Sequence, residues 1–206
     1  MTNTSLDSKT GPGYDAAMAR LAPIVAFVLA IAFALPARAS LLLAMDLPAL
    51  AADADHVVVG EVRAVTSDWS SDHRTIYSRI DVDIIETWQT TGARTMARVS
   101  IYQTGGAVGD LEMVVPGKPK FVVRERAVLF LRGAPERAVV VGGALGMLPL
   151  RAQAGATGAF VWAPRLGGAA LVAPGGGAGA TVPARPTPLE QFRAQVAEAF
   201  AKRGAR

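Results

Sequence analysis

Asp-His-Val-Val-Val-Gly-Glu-Val-Arg-Ala-Val at residues 55–65 and Thr-Ile-Tyr-Ser-Arg-Ile-Asp-Val-Asp-Ile-Ile-Glu-Thr-Trp at residues 75–88 read as two long β-strands joined by one loop. The first run is dense in β-branched residues and carries Gly60 at its middle, a position that marks a bulge, a bend or a close backbone approach. The second alternates: Ile76, Ser78, Ile80, Val82 and Ile84 point one way, and Tyr77, Arg79, Asp81 and Asp83 the other. That period of two predicts a half-buried antiparallel strand. The alternation slips at Ile84-Ile85, which predicts a bulge. Long strands with a mid-strand glycine and a bulge are what a small, strongly curved sheet requires. The expected fold is mainly β, a small curved antiparallel barrel (OB-like).

Before this hairpin, Asp46 can cap a short helix over residues 47–53, with Pro48 in the first turn, where a missing N–H costs little. After it, strands are expected at residues 97–103, 121–131 and 138–141, with shorter pieces at 147–151, 159–163 and 169–173. Residues 105–119 read as a long irregular connection, and 174–187 as a Gly/Ala/Pro linker. A C-terminal amphipathic helix closes the chain at residues 188–203. Thr187 and Glu190 suggest a capping box. Leu189, Phe192, Val196 and Phe200 form one apolar stripe, and Glu198 pairs with Lys202 four residues on. The helix either docks on the β domain of residues 40–173 or hangs on its linker as a partner-binding element; docking is favoured, because an isolated helix of this length is marginal in water.

The N-terminus reads as an address. Residues 21–35 form an uncharged apolar run preceded by Arg20, and Ala37 and Ala39 occupy the two positions a signal peptidase reads, with cleavage expected before Ser40. The expected destination is the periplasm, cell envelope or extracellular space. Contact with the membrane is expected only during export, or permanently if the segment remains an uncleaved anchor. The polar stretch 1–17 suggests that translation begins at Met18. The whole chain of 206 residues has a net charge of +4 and no cysteine, which excludes disulfides, thiolate metal sites and cysteine nucleophiles.

Chemistry is sparse. The two histidines, His56 and His73, are not at ligand spacing, and no HExxH motif occurs. His56 is expected to satisfy a local hydrogen bond. Asp81 and Asp83 can face the same way on one strand, but no nucleophile motif accompanies them. Lys118, Lys120, Arg124 and Arg126 share parity and would line one strand face. Aromatic residues make up only 6% of the chain, too few for base stacking, so nucleic acid is not an expected partner. Glycines 105, 106 and 109 lack a P-loop lysine. No catalytic residue, cofactor or metal is therefore expected, and the chain reads as a non-enzyme. The candidate partner-binding residues are Ser40 and Asp55 in the lead-in and Trp69, Asp72 and His73 at the hairpin loop.

Two resemblances extend this reading. Leu50, Ala54-Asp55, Val-Val-Val-Gly at 57–60, Val62, Glu86, Gly105-Gly106, Gly117-x-Pro119-x-Phe121, Glu125 and Val-Leu-Phe-Leu at 128–131 resemble a group of uncharacterised exported bacterial proteins. Where that group has a Pro-Gly-Glu turn, this chain has Arg124-Glu125. The opening, Ala54-Asp55 with the 57–59 strand, Tyr77 and the alternating acids, is similar to netrin-like domains and tissue inhibitors of metalloproteinases, which are OB-fold barrels. That resemblance implies inhibition through the free amine and carbonyl of the first residue, although Ser40 stands where the family has a cysteine. The expected function is an exported non-catalytic protein-binding module, an inhibitor or accessory of a secreted protease or a binder of another envelope protein. The alternatives are a structural or accessory envelope protein and a hydrolase with an unrecognised site.

Overall fold

The long hairpin dominates the computed structural model, which describes residues 40–90 and 96–204. Strand β1 (Leu41–Leu43) leads into helix α1 (Leu47–Asp53), then into β2 (His56–Trp69) and β3 (Ile76–Thr90). There follow β4 (Arg98–Thr104), a small hairpin of β5 (Gly106–Val108) and β6 (Leu111–Met113), β7 (Arg126–Arg132) and β8 (Val139–Val140). The chain finishes with β9 (Met147–Ala152), β10 (Ala159–Val161), β11 (Ala170–Val172), β12 (Thr187–Pro188) and helix α2 (Leu189–Gly204).

The main sheet runs β12-β10-β9-β7-β2-β3-β4, with β8 also on β7. Strands β2, β3 and β4 are consecutive antiparallel neighbours, and β7 returns to lie beside β2. That order, fourth-first-second-third, is a Greek key. Beyond β4 there is one isolated parallel bridge, Ile101 to Ala138. It is made by Tyr102 N–H to the Ala138 carbonyl (3.0 Å) and Ala138 N–H to the Ser100 carbonyl (2.9 Å). Separately, β1 pairs in parallel with β11, Leu42 opposite Leu171.

The curvature has local causes. Val59 pairs with Glu86 and Gly60 with Ile84, so Ile85 is the extra residue of a bulge, where the slip in alternation falls. Trp88 and Arg63 are bypassed in the same way, between Val57/Val58 and between Val62/Ala64. Gly60 is glycine because a Cβ there would collide with the Val82 side chain. Val82 is itself fully buried, so it has little room to yield.

Strands β2 and β7 are covered on both faces, and this produces two cores. Val58, Val62, Ile80, Val82, Val99, Ile101, Leu129 and Leu131 form one core, with Phe121 and Met147. On the other side Val57, Val59, Val128 and Phe130 meet α1 through Leu50 and α2 through Phe192 and Val196. The C-terminal helix is therefore docked. Arg203 at its far end donates to the carbonyls of Ala51 (3.1 Å) and Ala54 (2.7 Å), the free C-terminal carbonyls of α1. The Glu198–Lys202 pair forms at 2.7 Å. Asp46 caps α1 through Oδ1 to the Ala49 N–H at 2.8 Å.

Several expected elements differ. Strand β7 begins at Arg126 rather than residue 121, because Arg124 adopts φ 70° and a turn closes from Val122 to Glu125. Lys118, Lys120, Arg124 and Arg126 consequently share no strand face; Lys120 reaches Glu112 at 3.7 Å and Arg126 reaches Glu61 at 2.8 Å. The stretch 105–119 is not wholly irregular: Gly109-Asp110 is a two-residue turn between β5 and β6. Thr187 does not cap α2, since its hydroxyl donates to the Arg185 carbonyl and its backbone pairs with Val161. The stretch 1–17, Met18, the segment 21–35 and the residues Ala37 and Ala39 lie outside the described residues. Among the described residues no helix is long and apolar enough to cross a membrane.

Candidate functional site

The hairpin tip at residues 70–75 is held by its own side chains. The Ser70 N–H donates to the Thr75 carbonyl (2.7 Å), and the His73 N–H to the Ser70 carbonyl (2.8 Å). Asp72 Oδ1 accepts from the Ser70 hydroxyl (2.6 Å) and from the Arg74 N–H (3.2 Å). The Ser70 hydroxyl, and after it the Arg74 N–H, holds the Asp72 carboxyl below the usual carboxylate range. His73 takes φ 55°, which puts its ring 6.2 Å from that of Trp69, centroid to centroid. Trp69, Asp72 and His73 therefore form one tip.

The other two candidate residues are elsewhere. Asp55 precedes β2, and Oδ2 accepts the Gly133 N–H at 2.9 Å, fastening the turn after β7. It lies at one end of β2, whose 14 residues end at Trp69, so roughly 45 Å of extended chain separates the two. Ser40 is exposed, and its carbonyl accepts the Ala170 N–H at 2.9 Å. The carbonyl that a zinc-chelating first residue would present is thus engaged with the first residue of β11. His56 is buried, with Nδ1 2.9 Å from Thr90 Oγ1 directly across the ladder.

Continuing from the tip, the face of β3 and β4 opposite the one that buries Ile80 and Ile101 carries Tyr77, Arg79, Asp81 and Asp83 against Thr104, Tyr102, Ser100 and Arg98. The two acids do not act as a pair. Asp81 accepts from the Ser100 hydroxyl (2.7 Å) and Arg79 Nε (3.0 Å), whereas Asp83 accepts from Arg98 Nε (2.9 Å). The Ser100 hydroxyl is the main reason the Asp81 carboxyl is held low; partial burial opposes it, and Arg79 and Arg98 add to it. A carboxylate held low remains ionised and is a poor proton donor or base near neutral pH. Among the described residues no three His, Asp or Glu side chains converge as a metal site.

The tyrosines stand out against this neutralised background. Tyr77 is 49% and Tyr102 37% exposed. The Arg137 guanidinium, on the short 3-10 turn Pro135–Arg137, lies 5.8 Å from the centre of the Tyr102 ring. Tyr102 sits between two shallow clefts. One, of about 370 Å³, is bounded by Arg79, Arg98 and Glu136; the other, of about 510 Å³, by Tyr77, Lys118 and Arg137. Sequence reasoning missed Tyr102 and Arg137. Alternation along β4 places Tyr102 outward, but only the Ile101–Ala138 bridge brings Arg137 to it. Comparison with known proteins finds no matching family model, no matching curated protein and no matching solved structure.

Proposed function

We propose that this chain is an exported, non-catalytic protein-binding module on an OB-like barrel, and that it docks its partner on the tyrosine face of β3–β4 together with the hairpin tip. The barrel reading is supported by the parallel Ile101–Ala138 bridge. Were that single bridge continued into β8, which pairs with β7, strands β2, β3, β4, β8 and β7 would close in a ring of five, the strand number of an OB-fold. The binding reading is carried by one observation: two exposed tyrosines with an arginine stacked on one of them, on a face whose acids are already paired. Tyrosine and arginine, with tryptophan, are enriched among the residues that dominate binding energy at protein interfaces; tyrosine adds a large rigid contact area at low conformational-entropy cost. Trp69 and His73 extend the surface at the tip. A secreted protease or another envelope protein is the partner this reading admits, engaged through the tyrosines rather than through a Ser40 wedge.

The test is co-purification from the envelope and culture fluid of the producing cell, comparing the native chain with a Tyr77→Ala/Tyr102→Ala variant. Both side chains are exposed, so the variant should fold with unchanged circular dichroism. A partner retained by the native chain and reduced at least about tenfold by the variant is expected, since a hot-spot tyrosine contributes about 2 kcal/mol or more. Equal recovery with both proteins would remove the tyrosine face from the proposal.

A further inference from the structure

The side of β2–β3–β4 that carries Val82 and Ile80 is built in cross-strand layers. Val62, Val82 and Val99 are in register, then Val65, Ile80 and Ile101, then Ser67, Ser78 and Gln103. The interior thus changes from apolar to polar within one step, at the end where a cleft of about 350 Å³ opens. Its apolar lining includes Val65, Ile80, Met113, Val115 and Phe121. Val65 points into the interior yet is 39% exposed, because it faces this opening.

The polar layer has a definite chemical sense. The Ser78 hydroxyl lies 2.6 Å from the Gly105 carbonyl, which can only accept, so Ser78 donates there. The Ser67 hydroxyl is 2.8 Å from Ser78 Oγ and must then donate to it, which leaves Ser67 Oγ with unfilled lone pairs and no proton to offer. Gln103 Nε2 donates to the Pro119 carbonyl at 3.0 Å. Turning the amide over would set oxygen against oxygen, so Oε1 is the other end of the group. That Oε1 is buried and has no hydrogen-bond partner among the described residues. A buried acceptor without a partner is a standing cost, recovered by any ligand that brings a donor. Gly106, at φ 140°, completes the mouth: a Cβ on it would collide with both serine hydroxyls, so only glycine lets the backbone lie across them.

We propose that this mouth binds a small apolar molecule bearing a hydroxyl or N–H donor, with Gln103 Oε1 as the principal acceptor and Ser67 Oγ as the second. The mouth of a small barrel is a common place for such a site, and an apolar pocket with a few convergent polar groups is its usual composition. Two acceptors and no free proton at the polar layer favour a donor at that depth, while Lys118 and Lys120, which also line the cleft, can serve acceptors elsewhere on the molecule. The site stands independently of the tyrosine face.

The experiment titrates the full chain with 2-naphthol and with 2-methoxynaphthalene, which share a ring system and differ in the donor. Naphthol is expected to bind about tenfold more tightly, and Gln103→Met is expected to bring the two within about twofold. Equal affinities for the native chain, no binding of either probe up to on the order of 1 mM, or a naphthol preference that survives Gln103→Met would each overturn the proposal. Should Gln103→Met fail to fold, NMR of the native chain decides. Naphthol is then expected to shift the Gln103 side-chain amide and the Ser78 and Gly105 backbone signals; unmoved signals at all three overturn the proposal.

Discussion

Replacing Phe192 with alanine tests whether the C-terminal helix is part of the fold or an appendage. Phe192 is fully buried in the core that contains Leu50, Val57, Val128 and Phe130, separate from the one built on Ile80 and Val82. Its ring lies 6.4 Å from that of Trp88, inclined at 49°, and its neighbours in the same core are Leu50, Val128 and Phe130. The substitution removes the ring from a site enclosed by three elements, which limits collapse around the cavity. A buried Phe→Ala change costs about 3–5 kcal/mol. Against a total stability of about 5–15 kcal/mol that is a large fraction. With a urea dependence of about 2 kcal/mol per molar, the midpoint should fall by about 1.5–2.5 M. Tryptophan fluorescence is the suitable signal, because the Trp88 ring lies beside that of Phe192. Glu198→Ala, exposed on the same helix, should change the midpoint by no more than about 0.3 M, the yield of an i,i+4 pair. A loss below about 0.5 M for Phe192→Ala would refute the docked arrangement and make the helix a tether.

Two further perturbations probe the hairpin. Gly60→Ala should destabilise by about 1–3 kcal/mol in the same urea assay through its collision with Val82, and Val82→Ala should partly rescue it although it is destabilising alone; additive losses would show that the two do not touch. Ser100→Ala should raise the Asp81 pKa toward the ordinary aspartate value, read from the pH dependence of its carboxyl carbon by NMR. Because the folded-state pKa is depressed, Asp81 contributes stability that is present above the unfolded-state pKa and lost as pH falls through the folded-state one. The variant should therefore lose part of that contribution at neutral pH, and an unmoved Asp81 titration would contradict the assignment.

Much of the local structure is legible in single segments. The alternation from Ile76 to Val82 predicts which side chains are buried, and burial follows it without exception. The slip at Ile84-Ile85 is the bulge at Ile85, Gly60 is a close approach, and Asp46 with Pro48 starts a helix over Leu47–Asp53. These features depend on backbone geometry within a few residues, so composition and period suffice to read them. The extension of β2 to Trp69 was not legible, because Thr66, Ser67 and Asp68 have turn chemistry and become strand only through pairing with β3. Likewise Arg124 and Glu125 look like strand, yet a left-handed turn there keeps the Arg124 N–H on the Val62 carbonyl at 2.7 Å.

Taken alone, the sequence determined a mainly β chain organised on one long curved hairpin with a helix at either end. Only the tertiary structure decided which residues meet. Asp55 and Trp69 are candidates in neighbouring segments, but a continuous strand holds them apart. Tyr102 and Arg137 are distant in the chain and become a stacked pair through a single parallel bridge. Ser67, Ser78 and Gln103 become one polar layer only when three strands take one register, and a shift of one residue in any strand would turn its member of that layer to the other face. Period and composition are properties of a segment; register and contact belong to pairs of segments, and the candidate surfaces of this protein are made of such pairs.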